Sequence, residues 1–365
     1  MATAGRVRLR GLGRRDSSQR AAAAGCAERS RAAARGRRWL PGAVGTVGVA
    51  LLLTACSPVG PGPSAGTSAV PSAVGTTPSG SARGSSLAAA DGPWVDQPVT
   101  FRAAGMTVYA TYRHPAAADS AGPASVRPAV VLIPGNGSTD RNGNTPLFQG
   151  PINEIKAVAD WLSADGVASL RFDRLGSGQT GFGPYTSAAD REAIAFSQSA
   201  TPLEPVEQET AAALRFLAQQ RGTDRARLGV IGHSEGALYA LLLAAGADPK
   251  GSGPLPHVRA IGLLEPFPGH WPGRYAAASL AEGVPAGTPV LVTCSDADIQ
   301  VSCTDVSSFR AGLARAQAAT DFVLLTGVDH VLKQDPSGAF DNYTKPLPYS
   351  SQLRQALRSF VQRNL

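Results

Sequence analysis

The sequence is poor in the side chains that bind structural zinc. Its 365 residues include four cysteines and five histidines, and Cys26 and Cys56 both belong to an N-terminal segment of distinct composition. The other two cysteines, Cys294 and Cys303, have no cluster of histidines near them in the sequence. Because a structural zinc site needs four such ligands, we predict no bound metal, and no pattern predicts an organic cofactor.

Beyond its first 55 residues the chain also lacks an excess of positive charge. The formal net charge of the whole chain is +7, but residues 1–55 alone hold eleven arginines and only two acids. The remaining residues carry 23 basic and 25 acidic side chains. This part of the protein offers no basic surface to neutralise phosphates, so we predict no nucleic-acid partner.

The N-terminal segment has the pattern of an export signal. Arginines at positions 35, 37 and 38 precede a short apolar run that ends in Leu53-Thr54-Ala55-Cys56. The order of charged region, apolar region and small residues is typical of a secretory signal. The run contains Gly and Pro and is marginal for a membrane span of about 20 apolar residues. Leu-Thr-Ala-Cys resembles the bacterial lipobox, so we predict lipidation of Cys56; a transmembrane anchor and an unlipidated cleaved signal are the alternatives.

Three regions follow from this pattern. Residues 1–55 are the predicted lipoprotein signal peptide, and residues 56–91 are the lipidated cysteine with a tether of Ser, Gly, Pro, Ala and Thr. Such a tether buries too little apolar surface to fold on its own. Residues 92–365 form one predicted domain without internal repeats. We therefore expect an exported domain, lipid-anchored to the outer face of the bacterial cytoplasmic membrane.

Strand-like and helix-like segments alternate along this domain. The pattern predicts an α/β fold with a mostly parallel, eight-stranded sheet and helices on both faces. The predicted strands are 99–103, 106–113, 129–133, 167–172, 227–231, 260–264, 289–294 and 321–326, and the predicted helices are 152–164, 206–220, 235–245, 306–317 and 351–363. Residues 179–205 fit neither period, so we predict a lid-like excursion over the strand ends there.

The strongest chemical signal is Gly232-His233-Ser234-Glu235-Gly236. It lies between an apolar strand and an apolar helix, which is the context of a nucleophile elbow. The turn is so tight that a Cβ at either glycine would clash, and it lifts the serine hydroxyl clear of the backbone. Developing negative charge is favoured by the helix N-terminus behind it. We therefore predict Ser234 as a nucleophile.

A serine nucleophile needs a histidine base, which in this fold follows the acid in the chain. His330 comes after the last predicted strand and is our candidate. His257 precedes a strand and belongs at the opposite edge of the sheet, and His270 lies in a Pro- and Gly-rich loop. For these reasons both are weaker choices.

The orienting acid is sought in the loop after strand 289–294. Asp298 is the candidate, Asp296 is the main alternative, and Glu265 at the end of the preceding strand is a third. Cys294 and Cys303 bracket this loop, and an even pair in an exported protein predicts a disulfide; two free thiols are the alternative. The bond would close a ring that holds Asp298 in place.

Two backbone N–H groups are needed to stabilise a developing oxyanion. One is predicted at Glu235, directly after the serine. The other is predicted in the Gly-rich loop after strand 129–133, at Asn136, with Gly137 as the alternative. Glycines in that loop allow the backbone to approach a substrate closely.

Several motifs together resemble a known family. Val131–Gly137, Asp140–Asn144, Arg171–Gly178, the Gly232–Gly236 elbow and the His330 segment occur in the order seen in bacterial α/β-hydrolases of the dienelactone-hydrolase and prolyl-oligopeptidase-like esterase group. The resemblance covers about residues 99–365. It implies carboxylesterase activity on short to medium acyl esters, no metal, and the triad named above. Ser295 stands where the family has Gly before the acid. Asp140, Arg141 and Arg174 match its motifs, either as ion pairs that brace loops or as substrate contacts.

The sequence therefore predicts a serine hydrolase acting on a small-molecule or lipid ester, and nothing in it predicts an oligomeric state. An envelope acyltransferase with the same triad and a binding lipoprotein with a vestigial site are the alternatives. Enzymes of this fold that process halides or epoxides use Asp at the elbow, where this chain has Ser234. A peptidase is a further alternative, although the sequence lacks the large propeller domain of the oligopeptidases.

Overall fold

The computed structural model describes residues 93–116, 126–196, 203–247, 253–269 and 276–365. The predicted signal peptide, Cys56 and the predicted tether lie outside the described residues. So do His270 and residues 197–202 of the predicted excursion.

The domain is built on one eight-stranded sheet. Its strands are β1 (Trp94–Ala103), β2 (Met106–Pro115), β3 (Arg127–Ile133), β4 (Ala168–Phe172), β5 (Thr223–His233), β6 (Ala260–Leu264), β7 (Pro289–Ser295) and β8 (Ala319–Leu325). The spatial order is β1-β2-β4-β3-β5-β6-β7-β8. Strand β2 pairs antiparallel with both β1 and β4. The other six strands lie in the order β4-β3-β5-β6-β7-β8, and neighbours among them pair parallel. The predicted mostly parallel sheet is confirmed.

Helices cover both faces of the sheet. They are α1 (Glu154–Ala164), α2 (Ala188–Phe196), α3 (Leu203–Gln219), α4 (Gly236–Ala244), α5 (Ala277–Glu282), α6 (Ser307–Arg315) and α7 (Ser351–Asn364). Along β3, Val131 and Ile133 join the core under α3 and α4, whereas Val130 and Leu132 join the core under α1 and α7. Successive strand residues point to opposite faces, so a strand buried on both sides is apolar throughout.

The strand order places the elbow and the Gly-rich loop side by side. Connections leave β3 and β4 on opposite faces, through α1 and then α3, so the order reverses at β3. Ile133 at the end of β3 pairs with Gly232 near the end of β5. The loops that follow these two strands therefore meet at a topological switch point, which is where α/β sheets bind ligands.

Two short helices were not predicted. Helix α2 lies inside the predicted excursion, and α5 precedes β7. Ile194 of α2 is buried, and so is Leu280 of α5, so tertiary packing supports helices whose own periodicity is too short to recognise. Within the described ranges, no helix combines the length and the apolar character needed to cross a membrane.

Candidate active site

Ser234 occupies a strained turn between β5 and α4. Its φ of 53° lies in the left-handed region, which costs a non-glycine residue about 1–3 kcal/mol. The flanking glycines are required by close approach. A Cβ on Gly232 would lie 2.2 Å from the carbonyl oxygen of Gly236, and a Cβ on Gly236 would lie 2.4 Å from that of Ile133. This is the geometry expected of a nucleophile elbow.

His330 lies in the loop after β8 and is hydrogen-bonded to Asp298 in the loop after β7. Its Nδ1 is 2.7 Å from Asp298 Oδ2. The other carboxylate oxygen accepts hydrogen bonds from the backbone N–H groups of Gln300, at 2.8 Å, and Val301, at 3.0 Å. Burial raises the pKa of Asp298, but the hydrogen bond from His330 and these two N–H groups outweigh it and hold the pKa below its ordinary value. An ionised Asp298 therefore orients His330 with Nδ1 protonated.

The other candidate side chains lie elsewhere. Asp296 is exposed, and its Oδ1 accepts a hydrogen bond of 2.7 Å from the backbone N–H of Gly327. His257 is exposed ahead of β6, at the amino end of that strand, away from the elbow. Of the histidines and acids considered for the triad, His330 and Asp298 are the pair that the described structure brings together.

Glu265 follows β6 and is buried beside this pair. Its Oε1 accepts a hydrogen bond of 3.1 Å from the hydroxyl of Thr293. Burial, and secondarily the charge of Asp298, raise the pKa of Glu265 to about 8. The third candidate acid is thus a neutral carboxyl next to the one that contacts His330.

Ser234 and His330 line one cavity of about 160 Å³. Its apolar and aromatic lining comes from two segments, one after β3 and one after β8: Leu147, Phe148, Ile152, Val331, Phe340 and Tyr343. The polar part of the lining includes Glu154 and His233, which the sequence analysis did not identify. None of the described residues of the 179–205 excursion lines this cavity, and its described helix packs near Gly176 instead.

The predicted oxyanion donors lie on the two loops that meet at the switch point. Asn136 is exposed and lines the cavity, and Glu235 is the N-cap residue of α4, directly after Ser234. Among the backbone hydrogen bonds of the described residues, neither the Asn136 nor the Glu235 N–H has an acceptor. Two donors without internal partners beside a serine hydroxyl are what an oxyanion hole requires.

Arg174 joins these two loops. Its guanidinium donates one hydrogen bond to the carbonyl oxygen of Gly135 and another to the carboxylate of Glu235. Both side chains are buried, and the Tyr239 hydroxyl also donates to the Glu235 carboxylate, at 3.3 Å. Since Gly135 precedes one predicted oxyanion donor and Glu235 carries the other, Arg174 contacts both of the loops that would supply these donors.

Replacing Arg174 with Met should therefore lower both stability and turnover. A buried partner of an ion pair left alone costs about 3–5 kcal/mol, and a displaced oxyanion donor costs about 10²-fold in kcat. The double variant Arg174→Met/Glu235→Met should regain most of the stability without regaining kcat. Urea unfolding and ester turnover of both variants test this; full turnover in a folded Arg174→Met would show that the loops hold their positions without it.

Asp140 and Arg141, the other charged residues that match the motifs of the family, hold loops in place. Arg141 pairs with Asp173, with Nη2 2.5 Å from Oδ2. Asp140 Oδ1 accepts backbone hydrogen bonds of 2.8 Å from Asn142 and from Asn144. Neither Asp140 nor Arg141 lines the cavity, so of the two predicted roles the structure supports the structural one.

Cys294 and Cys303 are joined by a disulfide, which links the end of β7 to the far side of the Asp298 loop. The bond closes a ring across a sequence separation of nine residues. A ring of this size stabilises the fold by about 2–3 kcal/mol through the entropy of the unfolded chain. It also restricts the loop whose carboxylate contacts His330.

Reduction of this disulfide should lower the urea midpoint of the wild type by an amount equivalent to about 2–3 kcal/mol and should also lower kcat. The matched control is Cys294→Ala/Cys303→Ala, whose stability should not respond to dithiothreitol. Equal sensitivity of the two proteins to the reductant would contradict the assignment of the effect to this bond.

Within the described residues, no group of three or more His, Cys, Asp or Glu side chains has the arrangement of a metal site.

A parallel sheet, a serine on a strand-to-helix turn, and an acid and a histidine after the following strands define the α/β-hydrolase class. Residues 117–353 match the dienelactone hydrolase family, and the chain belongs to that family. It is therefore a hydrolase, and the resemblance recognised in its motifs is confirmed.

Solved structures share this fold at low sequence identity. A dienelactone hydrolase-like promiscuous phosphotriesterase from metagenomic libraries is 18% identical, with a TM-score of 0.51 over 75% of this chain and 99% of its own. Dipeptidyl peptidase 4 of Porphyromonas gingivalis is 16% identical, with a TM-score of 0.51 over 74% of this chain but 35% of its own. No curated protein matches the chain.

Proposed function

We propose that this hydrolase cleaves small carboxylic esters through an acyl-enzyme formed on Ser234. The observation that carries the proposal is the hydrogen-bonded His330–Asp298 pair beside a cavity that also contains the strained serine. A partly apolar cavity of about 160 Å³ suits a short acyl or alcohol group.

The proposed reaction uses these groups in turn. His330 Nε2 accepts the proton of Ser234 as Oγ attacks the ester carbonyl, and the N–H groups of Asn136 and Glu235 stabilise the oxyanion. Collapse of the tetrahedral intermediate breaks the ester bond, and the leaving alcohol takes the proton from His330. Water then attacks the acyl-enzyme by the same route, releasing the acid and restoring the serine.

Two measurements on the purified domain test the proposal. A fluorophosphonate probe should label the peptide that contains Ser234, and p-nitrophenyl butyrate should be hydrolysed with release of butyrate. Labelling without hydrolysis, combined with butyryl transfer to an added alcohol, would instead indicate an acyltransferase. Failure of both reactions would leave no support for a serine enzyme.

We further propose that the protein is exported and lipid-anchored through Cys56. The support is the Leu53–Cys56 lipobox and the disulfide between Cys294 and Cys303, a bond typical of oxidising compartments. Cells fed an alkyne fatty acid should incorporate it into the wild type and not into Cys56→Ala. Equal incorporation in the two proteins would move the lipid site elsewhere.

A further inference from the structure

Two buried polar atoms in the wall of the active-site cavity have no partner. They are Glu154 Oε2 and His233 Nδ1, and neither has a hydrogen bond among the described residues. Both residues line the cavity and are almost fully buried, with exposed fractions of 3% and 4%. Buried polar groups in folded proteins are normally hydrogen-bonded, so two unpaired atoms at one place in a cavity indicate a group that completes them.

The hydrogen bonds around His233 fix what Nδ1 can do. Its Nε2 lies 2.8 Å from the carbonyl oxygen of His330, and because a carbonyl only accepts, Nε2 carries the proton. Burial, with a smaller contribution from His330, lowers the pKa of His233 to about 3, so the ring is neutral near pH 7. Nδ1 is therefore a hydrogen-bond acceptor.

Glu154, the second member of the pair, can act as a hydrogen-bond donor. Burial raises the pKa of its carboxyl well above the ordinary value and so favours the protonated form, and a protonated carboxyl can both donate and accept. Its Oε1 is 3.8 Å from His233 Nδ1, which is too long for a hydrogen bond. The two side chains are thus neighbours that do not hydrogen-bond to each other.

This pair lies close to the reacting serine. A Cβ built on Gly135 would be 3.6 Å from His233 Nδ1, 3.3 Å from Ser234 Cβ and 3.8 Å from Ser234 Oγ. His233 Nδ1 and Ser234 Oγ therefore both lie within 4 Å of one point beside the Gly135 backbone, which makes them neighbours in the wall of the same cavity. A substituent near the carbonyl of a bound ester can reach the pair.

Resting on the proposed esterase function, we propose that Glu154 and His233 form a polar subsite that selects esters bearing a hydroxyl group near the reacting carbonyl. The hydroxyl donates to His233 Nδ1 and accepts from the Glu154 carboxyl, so one group satisfies both atoms. An alkyl group would leave them unpaired, which is the basis of strong selection for a substrate hydroxyl.

Other polar substituents fit less well. A carboxylate has no proton to donate and would set its lone pairs against that of His233 Nδ1. An ammonium group has no lone pair with which to accept a hydrogen bond from a protonated Glu154 carboxyl. It would also add a second cation close to Lys333, whose charge already acts on Glu154. A hydroxyl both donates and accepts without charge.

The test compares esters that differ only in this group. On the acyl side, naphthyl 3-hydroxybutyrate is compared with the isosteric 3-methylbutyrate; on the alcohol side, 2-hydroxyethyl butyrate is compared with propyl butyrate. For one of the two pairs we expect kcat/KM of the wild type to favour the hydroxyl ester about tenfold or more. The pair that shows the preference identifies which part of the ester occupies the subsite. Ratios near one for both pairs would overturn the proposal.

Variants of Glu154 assign the preference to the subsite. Glu154→Gln keeps a donor and an acceptor and should keep the ratio, whereas Glu154→Leu should bring it close to one. An unchanged ratio in a folded Glu154→Leu would overturn the proposal. Should that variant not fold, Ser234→Ala provides a second measurement, because it retains the subsite and cannot consume the ester. It should bind the hydroxyl ester about tenfold more tightly than its isostere, seen as a larger thermal shift; equal shifts would overturn the proposal.

Failure of this inference differs from failure of the proposed function. Hydrolysis of both members of each pair at equal rates would leave the esterase in place and remove the subsite. No hydrolysis and no fluorophosphonate labelling, with preferential binding to Ser234→Ala retained, would keep the subsite and remove the esterase.

Discussion

Ser234→Ala is expected to lower kcat for p-nitrophenyl butyrate by about 10⁴-fold or more and to eliminate fluorophosphonate labelling. In the proposed reaction the hydroxyl oxygen of Ser234 forms the acyl-enzyme, and no other described side chain combines a strained strand-to-helix turn with a place in the cavity beside His330. The substitution removes one oxygen atom from the wall of the cavity, so the urea midpoint should stay close to that of the wild type.

The double variant Ser234→Ala/His330→Ala separates a catalytic role from two unrelated defects. A nucleophile and its base act as one unit, so losing both should cost little more than losing either. If the two side chains acted independently, the fold-losses in kcat of the two single variants would multiply in the double variant. A double variant far slower than each single variant, or a Ser234→Ala enzyme that still turns over, would place the nucleophile elsewhere.

The elbow and the mostly parallel strands could be predicted because each rests on a local pattern. Gly232 and Gly236 flank Ser234 at a spacing that sterics impose, as the contacts to Gly236 and Ile133 show. The apolar runs of β3 and β5 likewise follow from burial on both faces of a parallel sheet. In these segments short-range sequence and tertiary structure demand the same residues.

The polar subsite and the Arg174 contact could not be predicted because they join segments far apart in the chain. Glu154 lies at the start of α1 and His233 at the end of β5, and nothing in either local sequence indicates that the two meet. Arg174 was recognised only as part of a motif; its contacts with Gly135 and Glu235 depend on the crossing of three loops. Such contacts depend on the folded backbone rather than on periodicity.

The acid that contacts His330 could be predicted only in part. The sequence places Asp296 and Asp298 in one loop after β7 and Glu265 after β6, all at the same edge of the sheet. Which carboxyl meets His330 depends on side-chain direction within the loop. In the structure that direction is set by the two backbone N–H groups that hold Asp298 Oδ1 and by the Gly327 N–H that holds Asp296.

Asp298→Asn is expected to lower kcat by about 10³- to 10⁴-fold, with a small change in KM. An amide at this position can present its N–H₂ group to His330 Nδ1, which stabilises the tautomer with Nε2 protonated. That tautomer cannot accept the proton of Ser234. The loss of the carboxylate also removes the charge that stabilises the imidazolium formed during the reaction. Initial rates across a range of ester concentrations measure both parameters.

Asp296→Asn is the matched control, since it makes the same chemical change two residues away. It should reduce kcat by less than about tenfold, because the Asp296 carboxylate is exposed and contacts the backbone of Gly327 rather than His330.

Glu265→Gln tests the third carboxyl. That side chain is neutral beside an ionised Asp298, so an amide of the same shape should be tolerated far better than Asp298→Asn. A severe Asp296→Asn with a mild Asp298→Asn would reverse the assignment, and a severe Glu265→Gln would mean that the carboxyl after β6 shares the work of orienting His330.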